Sequence, residues 1–436
     1  MLKKVIFIIA LGAILFSSFS LSSLSASAWT LDESSGNIEA YYLYDLSNDI
    51  LMADKNTSST ISASSSVKMM TACVVLDSGI SLNKEIIITQ EMLKNVSGRF
   101  MGLVSGDKMT VQDLLYSMIC ASFNDATHAL AFVVSGSLEA FVDDMNNKAL
   151  SLGMTSTHYI DATGISKESK TTINDLIILS NHLLKNQEYL EITSTKTYQL
   201  SHNATCEYNR ITNRSTLISS YKGLHNFNTG STTDNGDSSV IYLSNDNTSL
   251  LCIVMNAQYT SNSDTSNAAE YYIKKLLSHG LYDYSTKILL KANKAIDYLP
   301  VKYSVAAEDV GIFPKNDISA YISNEIDIND GIEINYYLYN TELKAPIKSG
   351  DEVGIVIISK NGKFIASEKL TISQNIERNT FLYLIDVVKN YLTSRAFILF
   401  LILFVGLMIA YYLYAQSKFT QMYMNLPRKT KKYYRK

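Results

Sequence analysis

Cysteine and proline are scarce in this chain, four of each in 436 residues. Cys73, Cys120, Cys206 and Cys252 are widely spaced and form no Cys-x-x-Cys pair. That pattern argues against a disulfide scaffold and against a zinc site built on thiolates, and neither a metal nor a cofactor is expected. Cys73 and Cys120 sit in apolar helical contexts, where packing is the expected role. Acidic residues are absent from both ends: residues 1–28 hold two lysines, and residues 415–436 hold seven Lys/Arg. The stretch 29–395 keeps 29 basic against 41 acidic residues, so the formal total of −3 conceals a bulk of −12, which excludes nucleic acid as a partner.

With 47% hydrophobic residues the chain is too apolar to be disordered, and its length calls for at least two domains. The apolar residues concentrate at the ends. Residues 1–28 carry two lysines, an apolar stretch from Val5 to Phe16 and a small-residue close at Ala26-Ser27-Ala28, the pattern of a signal peptide cut after Ala28. An uncleaved anchor is the alternative. Ala396–Tyr414 is an uncharged run whose helical length of about 28 Å matches a hydrocarbon core. Arg395 bounds this run on one side, and the basic tail 415–436 predicts a cytoplasmic C-terminus with the bulk outside, so the cell membrane is an expected partner.

Between these ends the residues 29–291 read as mixed helix and strand. Ala40–Lys55 predicts a hairpin turning at Asp45–Asp49, and a helix is expected to begin within Ser64–Ser66, the serines supplying its cap. Met109–Cys120 predicts a helix that breaks at Ala121–Asn124 and resumes over Asp125–Val134; two further helices, two strands at Ser238–Ser244 and Leu251–Ala257, and a closing helix follow. The fold class is α+β, an antiparallel sheet packed with helices. Residues 292–379 change to short alternating segments, with Lys360-Asn361-Gly362-Lys363 as a hairpin turn and Pro314 and Pro346 between segments. This β-rich domain reads as a stalk, with ligand binding as the other reading. Residues 380–395 form an amphipathic juxtamembrane segment.

Ser65 and Lys68 lie three residues apart on one helical face, where a hydroxyl near a helix start can meet a partly buried amine that has lost its proton. Alone the pattern is weak. It recurs at Ser219 and Lys222, and a Ser-x-Asn triplet occurs both at Ser122–Asn124 and at Ser201–Asn203. Order raises its weight: Ser65-x-x-Lys68, then Ser122-x-Asn124 at a helix break, then Asn228-Thr229-Gly230 just before a strand.

That order resembles the serine penicillin-binding and β-lactamase superfamily, with its Ser-x-x-Lys, Ser-x-Asn and Lys-Thr-Gly elements. Ser65–Thr71 and Leu152–Gly164, with Thr171 and Asp175-Leu176, resemble more closely the low-molecular-mass D-alanyl-D-alanine carboxypeptidases, and this resemblance covers most of the chain. It implies a β-lactamase/transpeptidase-like domain, a second β-rich domain and a membrane attachment. It implies release of the terminal D-alanine from peptidoglycan stem peptides, and acylation by β-lactams. By position, Ser65 would be the nucleophile and Lys68 its base, Ser122 would relay a proton to the leaving amine, and Asn124 would hold the substrate amide and Lys68. Asn228, Thr229, Gly230 and Ser231 would bind substrate, the backbone N–H groups of Ser65 and Ser231 forming the oxyanion hole. Two cations of the family pattern are missing: Asn228 replaces the lysine of Lys-Thr-Gly, and Asp264 aligns where an arginine is usual. Lys222 and His225 are the nearest substitutes in sequence. An impaired homologue that binds wall peptide or an envelope partner is therefore the second expectation.

Overall fold

The computed structural model describes residues 29–34, 36–201, 208–232, 236–245, 248–259, 267–305, 309–327, 331–360 and 362–424. Residues 1–28, expected to be a signal peptide, Asn203 of the second Ser-x-Asn triplet, Cys206, Asp264 and the tail from residue 425 lie outside them. The chain divides into two compact units, 1–287 with 321–330, and 288–320 with 331–436.

The first unit is built on a five-stranded antiparallel sheet. Its strands are β1 (Gly36–Asp45), β2 (Ile50–Lys55), β3 (Leu224–Thr232), β4 (Gly236–Ser244) and β5 (Ser249–Tyr259), in the order β2-β1-β5-β4-β3. The β1–β2 hairpin turns as expected, because the Asp45 carboxylate accepts hydrogen bonds from the N–H groups of Ser47 and Asn48 at 2.8 and 3.1 Å. Strand β5 is apolar on both faces because both are covered. Leu251, Ile253 and Met255 join a core with the helices α1 (Val67–Asp77), α2 (Val111–Ala121), α3 (Asn124–Ser135), α4 (Leu138–Leu152), α5 (Ile173–Leu183) and α6 (Gln187–Ser194). Leu250, Cys252 and Val254 pack on the other side against α7 (Ala268–Tyr282) through Tyr272, Ile273, Leu276 and Leu277. Each such side chain contributes about 1.5–3 kcal/mol by leaving water. Cys73 and Cys120 are buried in the first core.

Two details differ from the sequence reading. The serines before α1 form a 3₁₀ turn, Ser64–Ser66, and none caps the helix: Ser66 Oγ donates to Ala63 O at 2.6 Å and Ser64 Oγ to Asn256 Oδ1 at 2.8 Å. Asn228-Thr229-Gly230 lies inside β3, not ahead of a strand. The segment Leu224–Thr232 hides its strand because its buried positions are largely polar, Asn226, Asn228 and Thr229 among them.

The second unit holds a five-stranded antiparallel sheet of β6 (Asp297–Leu299), β7 (Val310–Pro314), β8 (Ile332–Leu338), β9 (Glu352–Lys360) and β10 (Lys363–Ile372), in the order β6-β7-β10-β9-β8. Lys360 pairs with Lys363, and Gly362 turns the hairpin at φ 74°; Asn361 lies outside the described residues. Helix α8 (Thr380–Leu392) is capped by Asn379, joined to the segment after Lys302 by a Tyr303–Asp386 hydrogen bond, and has Arg378, just ahead of it, over the Tyr383 ring. Phe381, Ile385, Val388 and Leu392 remain exposed on its other side. Helix α9 (Arg395–Met424) is long and apolar enough over Arg395–Met422 to cross a bilayer, longer than the 19-residue run read from sequence.

Candidate active site

The 3₁₀ turn carries Ser65 against β3. Ser64 adopts φ 45°, a left-handed conformation uncommon for serine, and it is held by the buried network that joins Ser64 Oγ, Asn256 and Ser238. The Ser65 hydroxyl is 95% shielded as a residue and accepts a hydrogen bond from Asn228 Nδ2 at 2.9 Å. Gly230 lies so close that a β-carbon there would fall 2.3 Å from Ser65 Oγ, so only glycine fits this position beside the hydroxyl. Gly164, at φ 81°, approaches from another side; a β-carbon on it would meet Ser64 O at 1.9 Å.

Lys68, the second residue of α1, is buried, and its Nζ donates to Thr163 O at 2.6 Å. That carbonyl is fixed by Asp161, whose carboxylate accepts from Thr163 N, Thr163 Oγ1, Gly164 N and Ser166 N. Burial pushes the Lys68 amine down to about 8; the Asp161 charge opposes this shift and the Arg214 charge adds to it. Among the described residues Ser65 and Lys68 make no hydrogen bond to each other, each being held by another partner.

The second element of the sequence pattern lies at the break between α2 and α3. Helix α2 starts on a capping box, Thr110 with Asp113, and ends at Ser122, a left-handed C-cap with φ 60° and ψ 38°. Glycine is usual in that conformation, so a serine there carries backbone strain of the kind found at working sites. Asn124 then opens α3: its N–H donates to Arg99 O and its Nδ2 to Ser97 O, both at 2.7 Å, while its buried Oδ1 has no partner. On the sheet side, Thr229 Oγ1 bonds Asn226 Oδ1 at 2.8 Å, and Asn226 bonds Asn213 at 2.8 Å. Ser231 is exposed at the open end of β3, opposite Asp237.

The nearest cations are not those expected. Lys222 is exposed in the turn before β3, and His225 contacts Leu190 O, Thr193 and Tyr242 on the α6 side. Arg214 is the group whose charge reaches Lys68, and Arg99 the one whose charge reaches Arg214. Sequence reasoning passed over both, although the Asn-Arg pairing at 213–214 was visible. Away from this site, Cys73, Asp77 and His182 have metal-ligand chemistry, but Lys148 Nζ sits 2.6 Å from Asp77 and supplies the positive charge there.

The profile of the D-alanyl-D-alanine carboxypeptidase family matches residues 30–259, and that of the penicillin-binding protein 5 C-terminal domain matches residues 284–378. Among curated proteins the chain is similar to the D-alanyl-D-alanine carboxypeptidase DacF of Bacillus subtilis, 26% identical over 348 residues, with 76% of this chain and 84% of that one covered. It is also similar to the carboxypeptidase DacC of Escherichia coli, 26% identical over 374 residues, covering 82% and 88%. Of the solved structures, penicillin binding protein 5 from Haemophilus influenzae aligns with a TM-score of 0.53 at 24% identity, over 80% of this chain and 100% of the other. At that identity the likeness concerns the fold.

Proposed function

Because the chain belongs to the D-alanyl-D-alanine carboxypeptidase family, we propose that it removes the terminal D-alanine from peptidoglycan stem peptides through an acyl-enzyme on Ser65. The observation that carries this reading is a buried Lys68, three residues from a shielded Ser65 hydroxyl, whose pKa burial brings down to about 8. An amine titrating there is neutral often enough near pH 7 to take a hydroxyl proton, and still basic enough to keep it during attack.

In the first step the Ser65 oxygen bonds to the carbonyl carbon of the penultimate D-alanine, and its proton passes to Lys68. The backbone N–H groups of Ser65 and Ser231 receive the oxyanion. As the amide bond breaks, the leaving nitrogen takes a proton from Lys68 by way of Ser122, and free D-alanine departs. Water then attacks the ester, Lys68 takes its proton and passes it to Ser65 Oγ as the ester bond breaks, and the shortened peptide leaves with a free carboxylate. The unpartnered Asn124 Oδ1 supports a role in accepting from Lys68 or from the substrate amide. The polar edge of β3, with Asn228, Thr229, Gly230 and Ser231, supports pairing with an extended peptide backbone. Asn228 departs from the family's lysine, and its amide donates to Ser65 instead. β-Lactams would acylate the same hydroxyl.

The apolar helix α9 supports a single membrane span, and the exposed apolar side of α8 supports a helix lying at the bilayer surface. With the basic tail inside, both compact units would face the wall. Release of D-alanine from a pentapeptide by the detergent-solubilised protein tests the catalytic reading. Release that disappears in Ser65→Ala is expected. Penicillin labelling without release would instead favour the peptide-binding reading.

A further inference from the structure

At the far end of α1 from Ser65, side chains from three helices converge on one carboxylate oxygen. Asp77 is the last residue of α1, and its Oδ2 is approached by Lys148 Nζ of α4 at 2.6 Å, His182 Nε2 of α5 at 2.7 Å and the Cys73 thiol at 3.6 Å. The lysine and the imidazole stand at full hydrogen-bond distance, and the thiol is left with the longest contact. The ligand atoms of Cys73, Asp77 and His182 lie within 4.8 Å of one another, and among the described residues no other three His, Cys, Asp or Glu side chains are so grouped.

The electrostatics of this place favour a cation of higher charge than a lysine. An acid in the last turn of a helix faces the negative end of the macrodipole, so Asp77 needs a positive partner. His182 sits in the last turn of α5 and brings a second negative helix end alongside. Two helix ends at roughly half a charge each and one carboxylate sum to about −2. The Lys148 ammonium meets about half of that charge, and a divalent ion meets all of it. Lys148 is on a flexible four-carbon stem with its side chain 25% exposed, so it can withdraw into water.

We propose that Cys73, Asp77 and His182 bind a zinc ion, which displaces the Lys148 ammonium and takes water as its fourth ligand. Thiolate, imidazole and carboxylate are zinc donors, and a tetrahedral ion spaces its ligand atoms roughly 3–4 Å apart, within small side-chain shifts of the distances found here. Cys73 and Asp77, four residues apart, share one face of α1, as two ligands of one ion must. Cys73 is fully buried and supplies the inner ligand, while the Asp77 and His182 side chains, 28% and 31% exposed, leave the ion a way in. On binding, the S–H bond of Cys73 gives way to an S–Zn bond, and its proton leaves to water. His182 ligates through Nε2, with its proton on Nδ1. The ion ties the end of α1 to the end of α5 and takes no part in the chemistry at Ser65. The site has no Cys-x-x-Cys signature because Asp77 and His182 are 105 residues apart.

The test is calorimetric titration of zinc chloride into the untagged full chain in detergent, with Cys206→Ser as the background so that Cys206 contributes no thiolate. One ion should bind per chain, and cobalt in its place should show a sulfur-to-metal charge-transfer band in the near ultraviolet. Cys73→Ser should abolish that band and weaken zinc binding at least about ten-fold. His182→Gln, at a half-exposed position, should weaken binding by a similar factor, and it keeps the test decisive if the buried Cys73→Ser chain does not fold. Lys148→Gln removes the competing ammonium and should tighten binding about ten-fold, a gain that ions scattered over surface carboxylates would not show. Zinc bound as tightly by His182→Gln as by the parent chain would overturn the proposal. So would weaker binding by Lys148→Gln, cobalt binding without the charge-transfer band, or no binding at one ion per chain.

Discussion

Among the residues of the site, Lys68 depends most on its surroundings. Burial lowers its pKa to about 8, Asp161 works against that shift and Arg214 with it. If the neutral amine is the base, the acylation rate rises with pH through an apparent pKa near that value. Arg214→Gln removes a cation, so Lys68 should hold its proton more tightly and the acid limb should move to higher pH. Asp161→Asn removes an anion and should move the limb to lower pH. Stopped-flow acylation by a chromogenic β-lactam between about pH 6 and 10 reads both shifts, whose opposite signs separate electrostatics from general damage. The same depressed pKa makes the folded state give up its proton first, so stability should rise as pH climbs from about 8 to 10.5. Ser65, Lys68, Ser122 and Asn124 stand out in the sequence as candidates because their residue types and spacing suit the proposed chemistry. Arg99 and Arg214 do not, since only tertiary folding brings a loop and a strand end to the same helix terminus.

Elements decide how firmly the nucleophile turn is held. Asn256, left-handed at φ 56° in β5, bonds Ser64 Oγ and Ser238 Oγ through its oxygen and Glu39 Oε2 and Ser62 O through its nitrogen. Asn256→Ala strands the buried Ser62, Ser64 and Ser238 groups and should cost about 2–4 kcal/mol in denaturant unfolding, by roughly 1–3 kcal/mol for each polar group left unpaired. Acylation should slow with it, because Ser64 then loses the contact that holds its unusual backbone angle. An unfolding midpoint within error of the wild type would contradict this part of the account. Helices α2 to α5 were readable because their apolar residues repeat with the helical period, whereas α1 and β5, buried on every side, read as nearly unbroken apolar runs. Strand β3 was not readable, because the side chains it buries toward the site are amides and hydroxyls that satisfy one another. The leading serines misled for a related reason: they look like helix caps, yet their hydroxyls serve the Ala63 carbonyl and the Asn256 network.

For the molecule as a whole, the apolar run near the C-terminus was readable because length and composition alone define a helix able to cross a bilayer. The full chain should resist carbonate extraction from membranes, and a chain ending at Asn379, before α8 and α9, should appear in the soluble fraction. The division of 288–330 between the two units was hidden, because a segment that leaves one core and returns to another has no marker in its composition. What unites these scales is a single hydroxyl made reactive by its neighbours, and intact-mass analysis of the penicillin-treated protein tests that claim most directly. The account predicts one added inhibitor mass, mapped to the peptide containing Ser65 and absent from Ser65→Ala. An unmodified wild-type protein, or an adduct that persists in Ser65→Ala, would contradict it.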